Sequence, residues 1–416
     1  MNKQDSIWKG RYLLIIIASA MLACATGLRS TVLSVFVVPI CEDLQISTAT
    51  LLLYASIASI TGLVAAPIWG NLIAKHGLRK IATFSAIVTT VALALWAMAR
   101  SVVLIYVSAA LMGLFGAPSS TLGSSIAITM WFDKKRSSVM GYALTFISVS
   151  AVIGCAILPA VITAKGWQTG FWWLTGVFAV MCIPFCLMLK SPAECKMQPF
   201  GYEAPAENAE AVNAGEAAPV ELPGMTVQEA MRSPIFYILW IGMLLLAFPS
   251  SFMSNAAAWG TACGFDASGA GLLISFCTFT GIFGVVLVGI INEKAGVNKT
   301  TWIFMILGIL GFVLALFAVG RYGIAAAAMV LIAVGYSYQV GLTPIITSIV
   351  FGARDYSAIY SRISMSVAVA GIVGAPVIAF LFDKTGSYNG GIIMCAVAWV
   401  VAVVLTLISI KKAKQS

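Results

Sequence analysis

Long apolar stretches recur along this chain, and they constrain its fold more than any motif does. Runs of about 20 residues or more fall at 12–40, 49–74, 81–99, 102–130, 138–164, 169–189, 235–260, 268–292, 300–319, 323–350, 358–382 and 389–410. Each is long enough to cross roughly 30 Å of hydrocarbon as a helix. With no water to satisfy the backbone, helices are the form such segments take. Twelve runs predict twelve transmembrane helices, and the composition, 61% apolar and 9% charged, excludes an ordinary soluble domain. The first run is too long for a signal-peptide core and has no small-residue cleavage site behind it, so it is expected to remain as helix 1.

Charge sets the expected orientation. With the N-terminus in the cytoplasm, 18 of the 24 Lys and Arg fall in cytoplasmic segments, and Arg100, Lys165, Arg321 and Lys384 fall outside. That bias follows the positive-inside rule and places both termini in the cytoplasm. The net charge of +9 is dispersed over short loops, which gives no footprint for nucleic acid. The expected location is the plasma membrane, multi-pass, or the inner membrane in a bacterium. Six of the nine cysteines lie inside apolar runs and are read as small hydrophobes. Cys41 and Cys263 fall on the same side and leave one disulfide conceivable.

The two remaining basic residues, Arg29 and Arg362, lie inside apolar runs, while all 15 Asp and Glu lie outside them. A cation at membrane depth costs about 3 kcal/mol or more, and Arg does not shed its proton. An anionic ligand is the economical source of the missing charge. Arg29 stands 13 residues before Glu42, about 20 Å along a helix, too far for its side chain to reach the interface. Its structural alternative is pairing with helix-end carbonyls. Arg362 stands 8 residues past Arg354, about 12 Å, and has partial access to the interface as its alternative.

Helical spacing puts Ala25, Thr26, Val32, Leu33 and Phe36 on the Arg29 face, and Ile359, Met365, Ser366 and Val369 on the Arg362 face. Asn255, Tyr336, Tyr338 and Gln339 are further candidates for substrate hydrogen bonds, against a plain role in joining membrane helices. Ser119, Ser120, Thr121 and Ser125, expected on helix 4, read first as packing residues.

The hydropathy pattern breaks once, in a Pro- and Glu-bearing segment that reads as a flexible cytoplasmic linker. The expected organisation is an N-terminal six-helix bundle at 1–190, a linker at 191–234 and a C-terminal six-helix bundle at 235–416. The halves are copies. GNLIAKHGLRK at 70–80 aligns with GIINEKAGVNK at 289–299, an offset of 219, and a second echo relates Trp131-Phe132 through Arg136 to Phe351-Gly352 through Arg354.

With Gly70, Leu72, Lys75, Gly77, Arg79 and Lys80 at the spacing of its loop signature, the chain resembles the major facilitator superfamily over essentially its whole length. The segments around Trp131–Arg136, Arg232–Tyr237 and Phe351–Tyr356 are similar to the monocarboxylate-porter and oxalate/formate-exchanger branch. The resemblance implies the major facilitator fold, alternating access and small organic anions as substrates. It also implies a gating role for Glu293, Arg79, Lys80, Arg136 and Arg354. At the signature's acidic position this chain has Ala74, with Glu293 in the matching place of the second half, so one of two cytoplasmic latches is expected to be weak. Neither arginine falls in perfect register with the basic residues of the relatives, and substrate identity does not carry over.

His76 is the only histidine and no phosphate-cradling loop occurs, so no enzyme, cofactor or ATP-driven pump is expected. The expected function is secondary transport of small mono- or dicarboxylates by a monomer, through exchange or proton-linked symport. An exporter of lipophilic drugs on the same fold is the alternative, disfavoured by the lack of an intramembrane acid. A sensor that binds without translocation is the third reading.

Overall fold

The computed structural model describes residues 10–30, 32–46, 48–195, 197–201 and 224–413. The chain divides into two compact units, Met1–Val227 with Phe351–Ile359, and Gln228–Val350 with Tyr360–Ser416. The first holds α1 (Gly10–Ser30), a 3-10 turn (Val32–Phe36), α2 (Val37–Leu44), α3 (Thr48–His76), α4 (Leu78–Ala97), α5 (Val102–Phe115), α6 (Thr121–Trp131), α7 (Arg136–Lys165) and α8 (Trp167–Met188). After α9 (Val227–Arg232), the second holds α10 (Pro234–Ala247), α11 (Ser250–Ser254), α12 (Ala256–Ala262), α13 (Ala267–Ala295) and α14 (Val297–Ala315). It is completed by α15 (Tyr322–Phe351), α16 (Tyr356–Thr385) and α17 (Asn389–Ala413). Phe351–Ile359, the joint between α15 and α16, clusters with the first unit.

Among the described residues, 11 helices are long and apolar enough to cross a membrane. Three expected runs are not continuous helices. The run at 102–130 breaks at Gly116–Ser120 into α5 and α6. The run at 12–40 passes through a 3-10 turn, and that at 235–260 divides into α10, α11 and α12. Pro118 accounts for the first break: it lacks the amide that would bond the Leu114 carbonyl, and its ring disfavours helical backbone just before it. Proline does not act alone there, since Pro67, Pro159, Pro184, Pro344 and Pro376 lie inside continuous helices and Pro118 follows Gly116.

The duplication extends to conformation. Gly77 joins α3 to α4 at φ 83°, and Gly296 joins α13 to α14 at φ 79°, a region that glycine enters without strain. Their amides bond Ile73 O and Asn292 O at the same 2.9 Å. At the second echo both copies are bridged, but differently: Phe132 runs parallel to Phe200, and Gly352 antiparallel to Gly224. Of the expected linker, residues 202–223 lie outside the described residues. Its described ends are anchored rather than loose, since Phe200 N donates to Trp131 O at 2.8 Å and Met225 N to Phe351 O at 2.8 Å.

Small residues let the helices of each unit approach closely, as expected where hydrocarbon supplies no hydrophobic drive. A Cβ at Gly27 of α1 would meet the Ile147 carbonyl at 2.1 Å, and one at Gly113 of α5 the Ala58 carbonyl at 2.3 Å. In the second unit, Trp399 is 1% exposed and its indole donates to Leu246 O at 2.9 Å near the end of α10. Its ring lies in a slot floored by Gly308 and Gly335, where a Cβ would sit 2.2 and 2.5 Å from it. None of the nine cysteines is in a disulfide, the conceivable Cys41–Cys263 pair included.

Gly308→Val should overfill that slot and lower stability by about 1–3 kcal/mol. Gly323→Ala, with nothing within 4 Å of the new methyl, should be neutral or slightly stabilising. Thermal unfolding in detergent compares them, and equal midpoints would remove the slot as a packing constraint.

Candidate functional site

Arg29 closes the last turn of α1 and reaches the end of α5. Its Nη1 donates to Met112 O at 3.2 Å, and this is its one hydrogen bond among the described residues. No carboxylate there lies within ion-pair distance of it. The guanidinium rests on Gly116, where a Cβ would fall 1.4 Å from Nη1; only a residue without a side chain leaves room. Arg29 therefore takes up the helix-end pairing that the sequence left open, and the negative end of the α5 dipole favours its charge.

The remaining groups at the break are met from α1 itself and from three other helices. Trp69 Nε1 of α3 donates to Leu114 O, the carbonyl that Pro118 leaves without its usual partner. Ser85 Oγ of α4 bonds both Phe115 O and Ser119 Oγ. Thr26 Oγ1 of α1 accepts from Thr121 N at 3.1 Å and lies 3.1 Å from Thr121 Oγ1, which fixes the start of α6. Cys182 Sγ of α8 lies 3.8 Å from Ser119 O. An orphan buried carbonyl costs about 1–3 kcal/mol, so this set of side chains is what makes a broken helix tolerable in hydrocarbon.

The expected helical face around Arg29 is only half correct. Ala25 and Thr26 share it, but Val32, Leu33 and Phe36 follow the end of α1 in the 3-10 turn. Ser119 and Ser120 occupy the break rather than a helix, whereas Thr121 and Ser125 lie on α6. Ser125 Oγ is buried without a partner among the described residues. Gly116, Trp69 and Ser85 were not singled out from sequence. Gly116-Ala117-Pro118 in an apolar run is the signal that finds the break; the partners from α3 and α4 leave no local signal.

In the second unit Arg362 is half-buried on α16, and its carbonyl accepts from Trp240 Nε1 at 3.1 Å. Tyr336 and Gln339 sit three residues apart on α15 and share a face. Neither the Tyr336 hydroxyl nor the Gln339 amide has a hydrogen-bond partner among the described residues. Tyr338 is turned elsewhere: it is 1% exposed and its hydroxyl lies 2.7 Å from Thr301 Oγ1 of α14. Asn255 stands between α11 and α12 and donates to Ser251 O at 3.0 Å.

The expected gating residues lie at helix ends. Arg79 and Lys80 occupy the first turn of α4, where the helix dipole disfavours cations; Arg79 is half-buried and Lys80 exposed. Arg136 is tied to the end of α6, with Nε to Phe132 O at 2.8 Å and Nη2 to Asp133 at 3.3 Å. Arg354 is exposed beside the start of α16, and Glu293 is exposed in the last turn of α13. No group of three or more potential metal ligands occurs among the described residues.

Duplicated helical units with an arginine at the heart of one of them describe a membrane carrier. The chain matches the Major Facilitator Superfamily model over residues 18–375 and belongs to that superfamily, so it is a multi-pass transporter and not an enzyme. Monocarboxylate transporter 13 of Bos taurus and that of Rattus norvegicus are each 22% identical to it over 346 residues, covering 82% of this chain and 75% of theirs. The solved E. coli fucose:proton symporter is similar in fold, with a TM-score of 0.69 at 13% identity, covering 95% of this chain and 98% of that one.

Gly116→Ala should expel the Arg29 guanidinium from its seat, whereas Trp69→Phe should leave it in place and cost about 1–3 kcal/mol through the orphaned Leu114 carbonyl. Cysteine-free variants carrying a reporter beside Arg29 would separate the two. The same local environment in both variants argues against the seat.

Proposed function

We propose that this protein is a secondary carrier of small organic carboxylates working by alternating access, with Arg29 and Arg362 as its anion-binding residues. The observation that carries the reading is Arg29 itself. It is a membrane-depth guanidinium with one carbonyl partner among the described residues and no carboxylate near it. A carboxylate ligand would supply the charge and accept the unused N–H groups in a charge-assisted, bidentate pair. Tyr336 and Gln339 are the better supported polar partners of the second unit, since their side chains have no hydrogen-bond partner among the described residues. Tyr338, spent on Thr301, and Asn255, spent on Ser251, are weaker ones. Similarity to the monocarboxylate transporters supports the substrate class, and the likeness to the fucose symporter bears on fold alone.

The reading includes twelve spans with cytoplasmic termini, α5 and α6 together making the fourth. It keeps bundles at 1–190 and 235–416 joined by the 191–234 linker, a monomeric carrier, and gates at Glu293, Arg79, Lys80, Arg136 and Arg354. The coupling we favour is exchange. All 15 acids lie outside the apolar runs, which leaves no dedicated proton relay at membrane depth. An empty carrier holds arginine charge at membrane depth, and an anionic load offsets it, so the loaded form reorients more easily.

Arg29→Gln and Arg362→Gln should each abolish the thermal shift given by a carboxylate ligand while leaving a folded protein, and Lys should recover only part of it. A normal shift in either Gln variant returns that arginine to a structural role. In proteoliposomes, internal carboxylate should accelerate uptake of labelled external carboxylate. Uptake that instead needs a proton gradient and ignores the internal anion would establish symport.

A further inference from the structure

A second group of unpaired cations lies at the loop end of the first unit, away from Arg29. Here a cavity of about 250 Å³ opens between the α3–α4 joint, the end of α6, the segment after α8 and the start of α16. Three cations line it from three separate stretches of chain: Arg79, Lys190 and Arg354. None of them has a carboxylate within 4.0 Å among the described residues. Two acids also line the cavity, Glu194 and Asp355. Glu194 is exposed, and Asp355 Oδ2 is engaged by the Val227 amide at 3.0 Å.

Two further features point the same way. The 30-residue helix α16 begins at the cavity and directs its positive end there, its first turn held by Ser357 Oγ donating to Gly70 O at 3.3 Å. Thr129, also in the lining, is 3% exposed, and its hydroxyl is buried with no hydrogen-bond partner among the described residues. Ala74, exposed and also in the lining, contributes no charge. Arg79 gains nothing from its helix, since a cation in a first turn opposes the dipole.

We propose that this cavity is a binding site for a phosphate-class oxyanion, separate from the carboxylate site and independent of it. A monocarboxylate offers two acceptor oxygens to three cations, none of which is in ion-pair contact with Glu194 or Asp355. A phosphate monoester or inorganic phosphate brings a charge of about −1.5 to −2 and three strong acceptor oxygens, enough to engage Arg79, Lys190 and Arg354 together. Free phosphate compounds and the phosphomonoester headgroup of an anionic lipid share that chemistry, and the loop end of the unit is accessible to either.

The test uses the full chain in detergent, with thermal unfolding followed against inorganic phosphate at ionic strength held constant with chloride. A saturable rise in the midpoint is expected. It should vanish in the Arg79→Ala/Arg354→Ala double variant and persist in Arg29→Gln, which separates this site from the carboxylate site. Ala74→Asp retains all three cations and supplies a resident carboxylate, so it should fold and be indifferent to phosphate. The source is read in nanodiscs: loss of the phosphate response in phosphatidic acid but not in phosphatidylcholine identifies a headgroup, and a response in both identifies free phosphate. No saturable rise in detergent or in phosphatidylcholine nanodiscs, or a rise unchanged in the double variant or in Ala74→Asp, overturns the proposal.

Discussion

The first unit depends on how its backbone is satisfied where α5 stops inside an apolar segment. Pro118 removes one amide and Gly116–Ser120 leave the helix, so several carbonyls at the end of α5 lose their ladder partners. Side chains from two other helices take their place, Trp69 on Leu114 and Ser85 on Phe115, and Arg29 of α1 adds a second donor to the Met112 carbonyl beside the Gly116 amide. In water such a break would be nearly free, because solvent would meet the orphan groups. In hydrocarbon each one costs free energy, so the break holds three neighbouring helices in register with α5. One of those partners is also the membrane-depth cation.

Arg29 thereby has two roles that pull in the same direction. The end of the α5 dipole and the Met112 carbonyl offset part of the cost of placing a guanidinium there, which keeps the empty protein folded. They supply less than a full counter-charge, and the proposed anionic ligand would make up the difference. Gly116 sets the balance, since any larger residue would push the guanidinium off the backbone. The second unit uses a related device at a different place, where the Trp399 indole bonds Leu246 near the end of α10 while its ring fills a slot between glycines.

The loop end shows what duplication preserves and what it lets drift. Gly77 and Gly296 keep the same positive φ and the same amide bond, because the reversal between two helices needs them. The acid position, free of that backbone demand, is Ala74 in one copy and Glu293 in the other. The first copy's loop end is consequently richer in unmatched positive charge.

The sequence by itself determined the class, the apolar segments, the duplication and the two arginines at membrane depth. Hydropathy, period and charge are properties of contiguous residues and can be read without a fold. It also carried the break of α5, in Gly116-Ala117-Pro118, although apolarity across 102–130 masked it. Only the tertiary structure decided which groups meet that break, because Trp69, Ser85 and Arg29 converge on it from helices far apart in the chain. Tyr338 and Tyr336 make the same point: two residues apart on one helix, they are equivalent as sequence. One hydroxyl is spent on Thr301 and the other has no partner among the described residues, since a helix turns by 200° over two residues and packing distinguishes its faces.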